Sequence, residues 1–341
     1  MIRRLRKLRR NSRLALRWER RGLQIRAWRK SGQLVPVADR TGQMPPGPIL
    51  ISTLRNEAVR LPWFLDYYRR LGVVHFLMID NGSTDGSGAL LASQDDISLW
   101  RTEASYKAAN YGVDWVNWLL RRHGAGRWIL CVDPDEFLVY PHCDTRRLPA
   151  LTRWLEQAGR ESFGTLLLDM YSDRPLAQTR YDAGEDPVAA APFFDAQNYF
   201  VERHGRYHNL WIQGGPRMRV HAQETPWTAP ALNKIPLVRW QKGFVYMRST
   251  HDLLPRRLNR VYDFNGGTRT SGALLHTKFL SILTEKVAEE LARREHYAAG
   301  REYASYAAEG EGTLLWTRQS TRYRDWRQLV DLGLIARGGW L

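Results

Sequence analysis

Short apolar runs recur through the first half of the chain, each about the length of a buried strand. They are PILISTL (48–54), VVHFLMID (73–80), ISLWRTE (97–103), WILCV within 127–132, and TLLLDMY (165–171). Stretches with helical spacing separate them. In RNEAVRLPWFLDYYRRLG, Phe64, Leu65, Tyr68 and Leu71 mark one face and Gly72 a stop. A short helix is expected around Ala89 to Ala92. A longer one is expected from about Lys107 to His123, with Tyr111, Trp115, Trp118 and Leu119 on one side. Strands alternating with helices predict right-handed crossovers and an α/β fold: a Rossmann-like, mostly parallel sheet flanked by helices. Ligands in such sheets gather beyond the carboxyl ends of the strands. At those ends stand Arg55-Asn56-Glu57, Asp80-Asn81, Asp133 to Glu136, and Asp169 with Asp173.

The second half is less regular. QGGPRMRV (213–220) and FNGGTRTSGALLHTKFL (264–280) read as loops flanking short strands, and SILTEKVAEELARREHYAAG carries Leu283, Val287 and Leu291 on a helical period. Residues 33–48 hold four prolines and read as a linker. The expected organisation is a basic helical N-terminal arm with its linker (1–45), an α/β domain (46–280) and a helical C-terminal extension (281–341).

Charge changes this picture only at one end. Of the formal net charge of +16, residues 1–30 carry +12: 13 Lys and Arg against the single acid Glu19. The remainder is close to balanced, so the chain is not a basic body built to bind nucleic acid, and no specific nucleic-acid partner is expected. The longest apolar stretch of the arm, Leu14 to Leu16, is too short for a signal-peptide core or a membrane span. A basic helix with Trp and Leu among its arginines suits an anionic membrane surface. Two cysteines, Cys131 and Cys143, make neither a disulfide framework nor a metal motif, which fits a reducing cytoplasm. The expected location is therefore cytoplasmic, with peripheral contact at the inner membrane face.

The chemistry concentrates in WILCVDPDEFLVY (128–140). Asp133, Asp135 and Glu136 repel one another unless something positive sits among them. A hard divalent ion, Mg or Mn, is the expected answer; held by one or two carboxylates, it completes its shell with water and substrate phosphates. Zinc is disfavoured, because no His or Cys lies within the cluster.

The segment ISTLRNEAVRLPWFLDYYRRLGVVHFLMIDNGSTDGS, followed some fifty residues later by WILCVDPDEFLVY, resembles the nucleotide-sugar domain of family 2 glycosyltransferases. More narrowly, it is similar to the D-x-D-E-F branch represented by family 92. The resemblance spans about residues 48–280 and implies a GT-A fold, a nucleoside-diphosphate sugar donor, and transfer to a glycan or lipid-linked acceptor hydroxyl, with inversion. It implies nucleotide-sugar contacts at Thr53, Arg55, Asn56, Glu57, Asp80, Asn81 and Asp133, a turn shaped by Asn81, Ser83 and Asp85, and metal contacts at Asp133 and Asp135. His276 resembles the late histidine that completes metal and diphosphate binding, with His251 competing. Lys234, Arg217 and Arg219 are candidates to neutralise the leaving diphosphate. Inversion needs a general base on the acceptor side: Asp173 first, then Glu224, then Asp169. Two other readings stand beside this one, a metal-dependent nucleotidyl or phosphoryl transferase and a non-catalytic nucleic-acid binder using the arm.

Overall fold

The computed structural model describes residues 12–263, 267–283, 286–287 and 312–340. Nine strands form one sheet: β1 Val35–Ala38, β2 Ile49–Leu54, β3 His75–Asp80, β4 Ile97–Arg101, β5 Trp128–Cys131, β6 Glu136–Val139, β7 Ser162–Asp169, β8 Asn233–Arg239 and β9 Gly272–His276. Their order is β1-β4-β3-β2-β5-β8-β7-β9-β6. Strands β2, β3, β4, β5, β7 and β9 run one way; β1, β8 and β6 run the other. The sheet is thus mostly parallel, with helices on its flanks: α1 Arg13–Lys30, α2 Leu61–Leu71, α3 Ser87–Ala92, α4 Val113–Leu119, α5 Leu148–Gln157, α6 Gly215–His221 and, near the C-terminus, α7 Trp326–Asp331.

Local chemistry accounts for these elements. The central strands are apolar on both faces, as strands covered on both sides must be, and β2 and β3 are buried almost throughout. Helix α2 starts with a Pro in its first turn, buries Leu61, Phe64, Leu65, Tyr68 and Leu71, and stops at Gly72, whose φ of 105° suits only glycine. Helix α4 begins later than the periodicity predicts. Asn110, Tyr111 and Gly112 all have positive φ, so the chain cannot enter a helix before Val113.

Three further expectations change. The proline-rich stretch 33–48 contains the edge strand β1, antiparallel to β4; Pro36 is tolerated there because an edge strand leaves one side unpaired. The supposed loop at 213–220 is helix α6, opened by Gly215-Pro216, with Pro in the first turn where its missing N–H is harmless. The N-terminal helix is real but not a free arm, since its inner side lies on the body. Of the C-terminal helix expected at 281–300, Leu283 and Val287 are buried against Tyr171, Phe279 and Leu315; Leu291 lies outside the described residues.

The stretch 128–140 is two strands, not one. Strand β5 lies beside β2, whereas β6 lies at the far edge, beyond β8, β7 and β9. The turn Val132 to Asp135 therefore passes over the ends of those three strands. The outer edge of β6 is closed by side chains: the Tyr68 hydroxyl donates to Glu136 O (2.7 Å) and accepts from Leu138 N (3.1 Å), and Tyr67 donates to Leu138 O (2.7 Å). Capping an edge this way satisfies groups that would otherwise be buried without partners. Tyr68→Phe leaves two of them unpaired, and we expect it to lower the free energy of unfolding by about 1–3 kcal/mol in chemical denaturation.

Candidate active site

The acidic turn is compact because Pro134 presets its second position and Glu136 N donates to Asp133 O at 3.0 Å. Beneath it, three strands meet. Strand β8 starts at this edge and supplies Lys234; β7 and β9 end here and supply Asp169 and His276. In the registers, His276 is paired with Asp169 on one side and Glu136 on the other.

The positive charge among the carboxylates comes first from the chain itself. Lys234 Nζ lies 2.8 Å from Glu136 Oε1 and 3.8 Å from Asp133 Oδ2. Arg217 Nε donates to Asp169 Oδ2 at 2.7 Å. His276 lies between two carboxylates, with Nδ1 at 2.6 Å from Asp169 Oδ1 and Nε2 at 3.4 Å from Asp135 Oδ2. Alongside, Arg60 Nη1 lies 3.0 Å from Glu57, which also contacts Lys286. Glu136 and Asp169 are thus compensated without any bound ion, a departure from the expectation that a metal neutralises the whole cluster.

Titration follows this wiring. Burial opposes charge on Asp135, but His276, Arg60 and Lys286 outweigh it and hold its pKa well below the usual carboxylate range. Burial likewise opposes charge on His276, yet Asp135 and Asp169 raise it to about 9. Asp169 is held low by Arg217 and His276 against the effect of its burial. Asp133 behaves differently. Water reaches 53% of its side chain, which limits desolvation; the enclosing walls and Glu136 still push its pKa up, with Lys234 pulling the other way.

Beside the turn lies an open cleft of about 420 Å³, lined among others by Thr53, Tyr106, Tyr111, Asp133, Lys234 and Thr250. Three hydroxyls of its wall, on Ser52, Thr53 and Thr250, are buried with no protein partner. Nothing in the local sequence marks Tyr106 or Thr250; folding alone brings them here. A second cleft, of about 370 Å³, lies past the ends of β7 and β9, lined by Ser172, Arg174, Thr179 and Phe279 among others.

Neither a protein-family model nor a curated protein matches this sequence.

Of the candidate nucleotide contacts, Thr53 and Asp133 share the first cleft with Lys234. Arg55, Asn56, Glu57, Asp80 and Asn81 lie in or beside two loops that their hydrogen bonds tie together. Arg55 donates to Asn81 O at 2.7 Å, Asn56 N to Ser83 Oγ at 3.0 Å, and Thr84 N to Asn56 Oδ1 at 2.8 Å. Glu57 N donates to Ser87 Oγ at 2.9 Å; buried Asp80 accepts from Ser83 N at 2.8 Å; Asn81 donates to Thr102 O and Ala104 O. His251 is half-buried and kept neutral, its pKa pushed down to about 3 by desolvation and then Lys234; its Nδ1 is 2.6 Å from Asn233 O. Arg219 pairs with Asp195 rather than with the cluster. Asp173 and Glu224 are both exposed. Asp173 sits between two residues of the second cleft. Asp169, paired at both oxygens, is a poor base.

Among the described residues, no three His, Cys, Asp or Glu side chains converge as a cage for a metal ion. The pair Asp135–His276 nevertheless fits a Mg or Mn ion, which needs few protein ligands. A metal-binding histidine characteristically donates its second ring nitrogen to a carboxylate, and His276 does so to Asp169, leaving Nε2 aimed at Asp135.

Two outcomes follow. Lys234→Met leaves Glu136 as a buried, uncompensated charge and should destabilise the protein by about 3–5 kcal/mol in denaturant titration, with much of the loss recovered in Lys234→Met/Glu136→Gln. His276, with its pKa raised on folding, contributes stability fully below its unfolded pKa of about 6.5, and that contribution is lost as pH rises through about 9. In chelator-treated protein, melting temperature should fall across that window, and His276→Gln should flatten the fall.

Proposed function

We propose that this chain is a divalent-metal-dependent glycosyltransferase of GT-A type, moving a sugar from a nucleoside-diphosphate donor to an acceptor hydroxyl with inversion. The observation that carries the reading is the Asp135–His276 pair, 3.4 Å apart at the carboxyl edge of the sheet and oriented by Asp169. It stands in a chain whose RNE, DNGSTDGS and D-x-D-E-F segments resemble that family. Asp135 and His276 would hold Mn or Mg, which when bound supplies Lewis-acid stabilisation of the leaving diphosphate. The first cleft takes the nucleoside: Tyr106 and Tyr111 offer flat faces, and the hydroxyls of Ser52, Thr53 and Thr250 in its wall have no protein partner. Lys234 stands at its floor as a second cation for phosphate. Arg217 keeps Asp169 charged, and Asp169 keeps the His276 ring turned toward Asp135. The second cleft takes a glycan or lipid-linked acceptor, and Asp173 at its rim accepts the proton of the attacking hydroxyl.

Incubation with Mn and a panel of nucleotide sugars, followed by product analysis, tests this. We expect slow release of free sugar and nucleoside diphosphate, abolished by chelation and reduced at least about 100-fold in Asp135→Asn. Release of pyrophosphate would establish nucleotidyl transfer instead. Turnover equal in Asp135→Asn and wild type would overturn the assignment.

A further inference from the structure

Helix α1 has two apolar sides, and the body covers only one. On the inner side Leu16 and Ala27 are buried, and Leu16 joins Tyr207, Val245, Met247 and Leu254 in a small cluster with Leu23 against it. Polar ties fix the rotation of the helix. Arg26 donates twice to Asp114, at 2.8 and 3.0 Å, and Glu19 accepts from Arg206 at 2.7 Å and from Tyr207 at 2.9 Å. The helix cannot roll to bury its other side without breaking these.

That other side carries Leu14, Trp18, Ile25 and Trp28, exposed by 63, 62, 50 and 62%. Their spacing of four, seven and three places them on one stripe of a helix with 3.6 residues per turn. Arg21 lies in the same stripe, its guanidinium 5.5 Å from the Trp18 ring centre. Arg13, Arg17 and Arg29 are exposed along its borders, while the only acid of the helix, Glu19, is turned to the docked side. Soluble proteins leave single apolar residues exposed, but a continuous stripe of two Trp, Leu and Ile marks a contact surface.

Charge selects the partner. Seven Lys or Arg side chains against one ion-paired Glu on this helix require an anionic surface. The apolar stripe requires that surface to have an oily layer just beneath it. Nucleic acid meets the first requirement and not the second. We infer that α1 lies flat in the headgroup region of an anionic phospholipid bilayer, with Leu14, Trp18, Ile25 and Trp28 below the phosphates and Arg13, Arg17, Arg21 and Arg29 level with them. No described helix is long and apolar enough to cross a membrane, so the contact is interfacial. The docked side of the helix is linked to the carboxyl edge through the chain. The hairpin of Phe200–Arg203 and Leu210–Gln213, whose loop binds Glu19, leads directly into Gly214 and α6, and α6 supplies Arg217 to Asp169.

This inference does not depend on the glycosyltransferase reading, because its test needs no substrate. The full chain is sedimented with vesicles of phosphatidylcholine alone or mixed with phosphatidylglycerol, and its binding to a single-stranded RNA is measured in the same buffer. Binding should be at least tenfold tighter to the anionic vesicles and weaken with salt. Trp18→Ala/Trp28→Ala should lose roughly tenfold of it with an unchanged melting temperature, since both rings are exposed. Equal vesicle affinity of that variant and wild type would overturn the inference by reducing it to nonspecific charge. So would binding to RNA that exceeds binding to vesicles and ignores the two Trp substitutions.

Discussion

Charge compensation at the carboxyl edge governs the rest of the molecule. Five carboxylates, Glu57, Asp133, Asp135, Glu136 and Asp169, face Arg60, Arg217, Lys234, Lys286 and His276. His276 is the one cation that lies between two of these carboxylates, and Asp135 and Asp169 are the physical reason its pKa is raised to about 9. Buried ion pairs of this kind add little net stability over apolar substitutes, but removing one partner is severe. They therefore fix geometry more than they add free energy: each cation holds one carboxylate in one place.

The sheet topology makes this compensation possible. A purely parallel sheet would bring only strand C-termini to this edge. Antiparallel β8 begins here instead, so its second residue, Lys234, reaches the turn between β5 and β6. Strand β8 is central yet contains Pro236, which lacks a ladder donor. The register between β8 and β7 shifts between Lys234 and Leu237, so the ladder is interrupted around the proline. The irregularity lies next to the residue that meets the acidic turn.

Much of this was legible in the chain, for reasons that can be named. Strands β2, β3, β4, β5 and β7 are continuous apolar runs, and α2 has an apolar face, a starting Pro and a stopping Gly. Strand β8 was hidden by its proline, α6 by Gly-Gly-Pro, and β1 by the prolines around it, because each breaks a local rule that tertiary pairing overrides. The acidic turn was visible as a concentration of charge, and Lys234, Arg217 and His276 were candidates for the site, but not as the ion-pair partners of its carboxylates. Lys234 and His276 follow it by about 100 and 140 residues, and only the strand order brings them under it. The RNE and DNGSTDGS segments were conspicuous as motifs, and their side chains turn out to bind each other's backbones. Their pattern reports how two loops are locked, and Thr53, just before them, is the residue that faces the cleft.

Under the proposed function, the setting of His276 would decide where a cation enters. Nδ1 is committed to Asp169, and Asp169 is held in turn by Arg217, so the ring keeps its direction in either protonation state. Nε2 is then the single position that a proton and a metal ion compete for. Loss of the proton removes one positive charge from beside Asp135, and a divalent ion in its place would return two, one more than the proton carried. That residual charge would lie at the mouth of the cleft beside Lys234, where Asp133, held weakly at 3.8 Å and half open to water, is the carboxylate freest to turn. A neutral ligand gains nothing from such a charge. A diphosphate does, so under the proposed function a bound metal would favour a phosphorylated donor beside it.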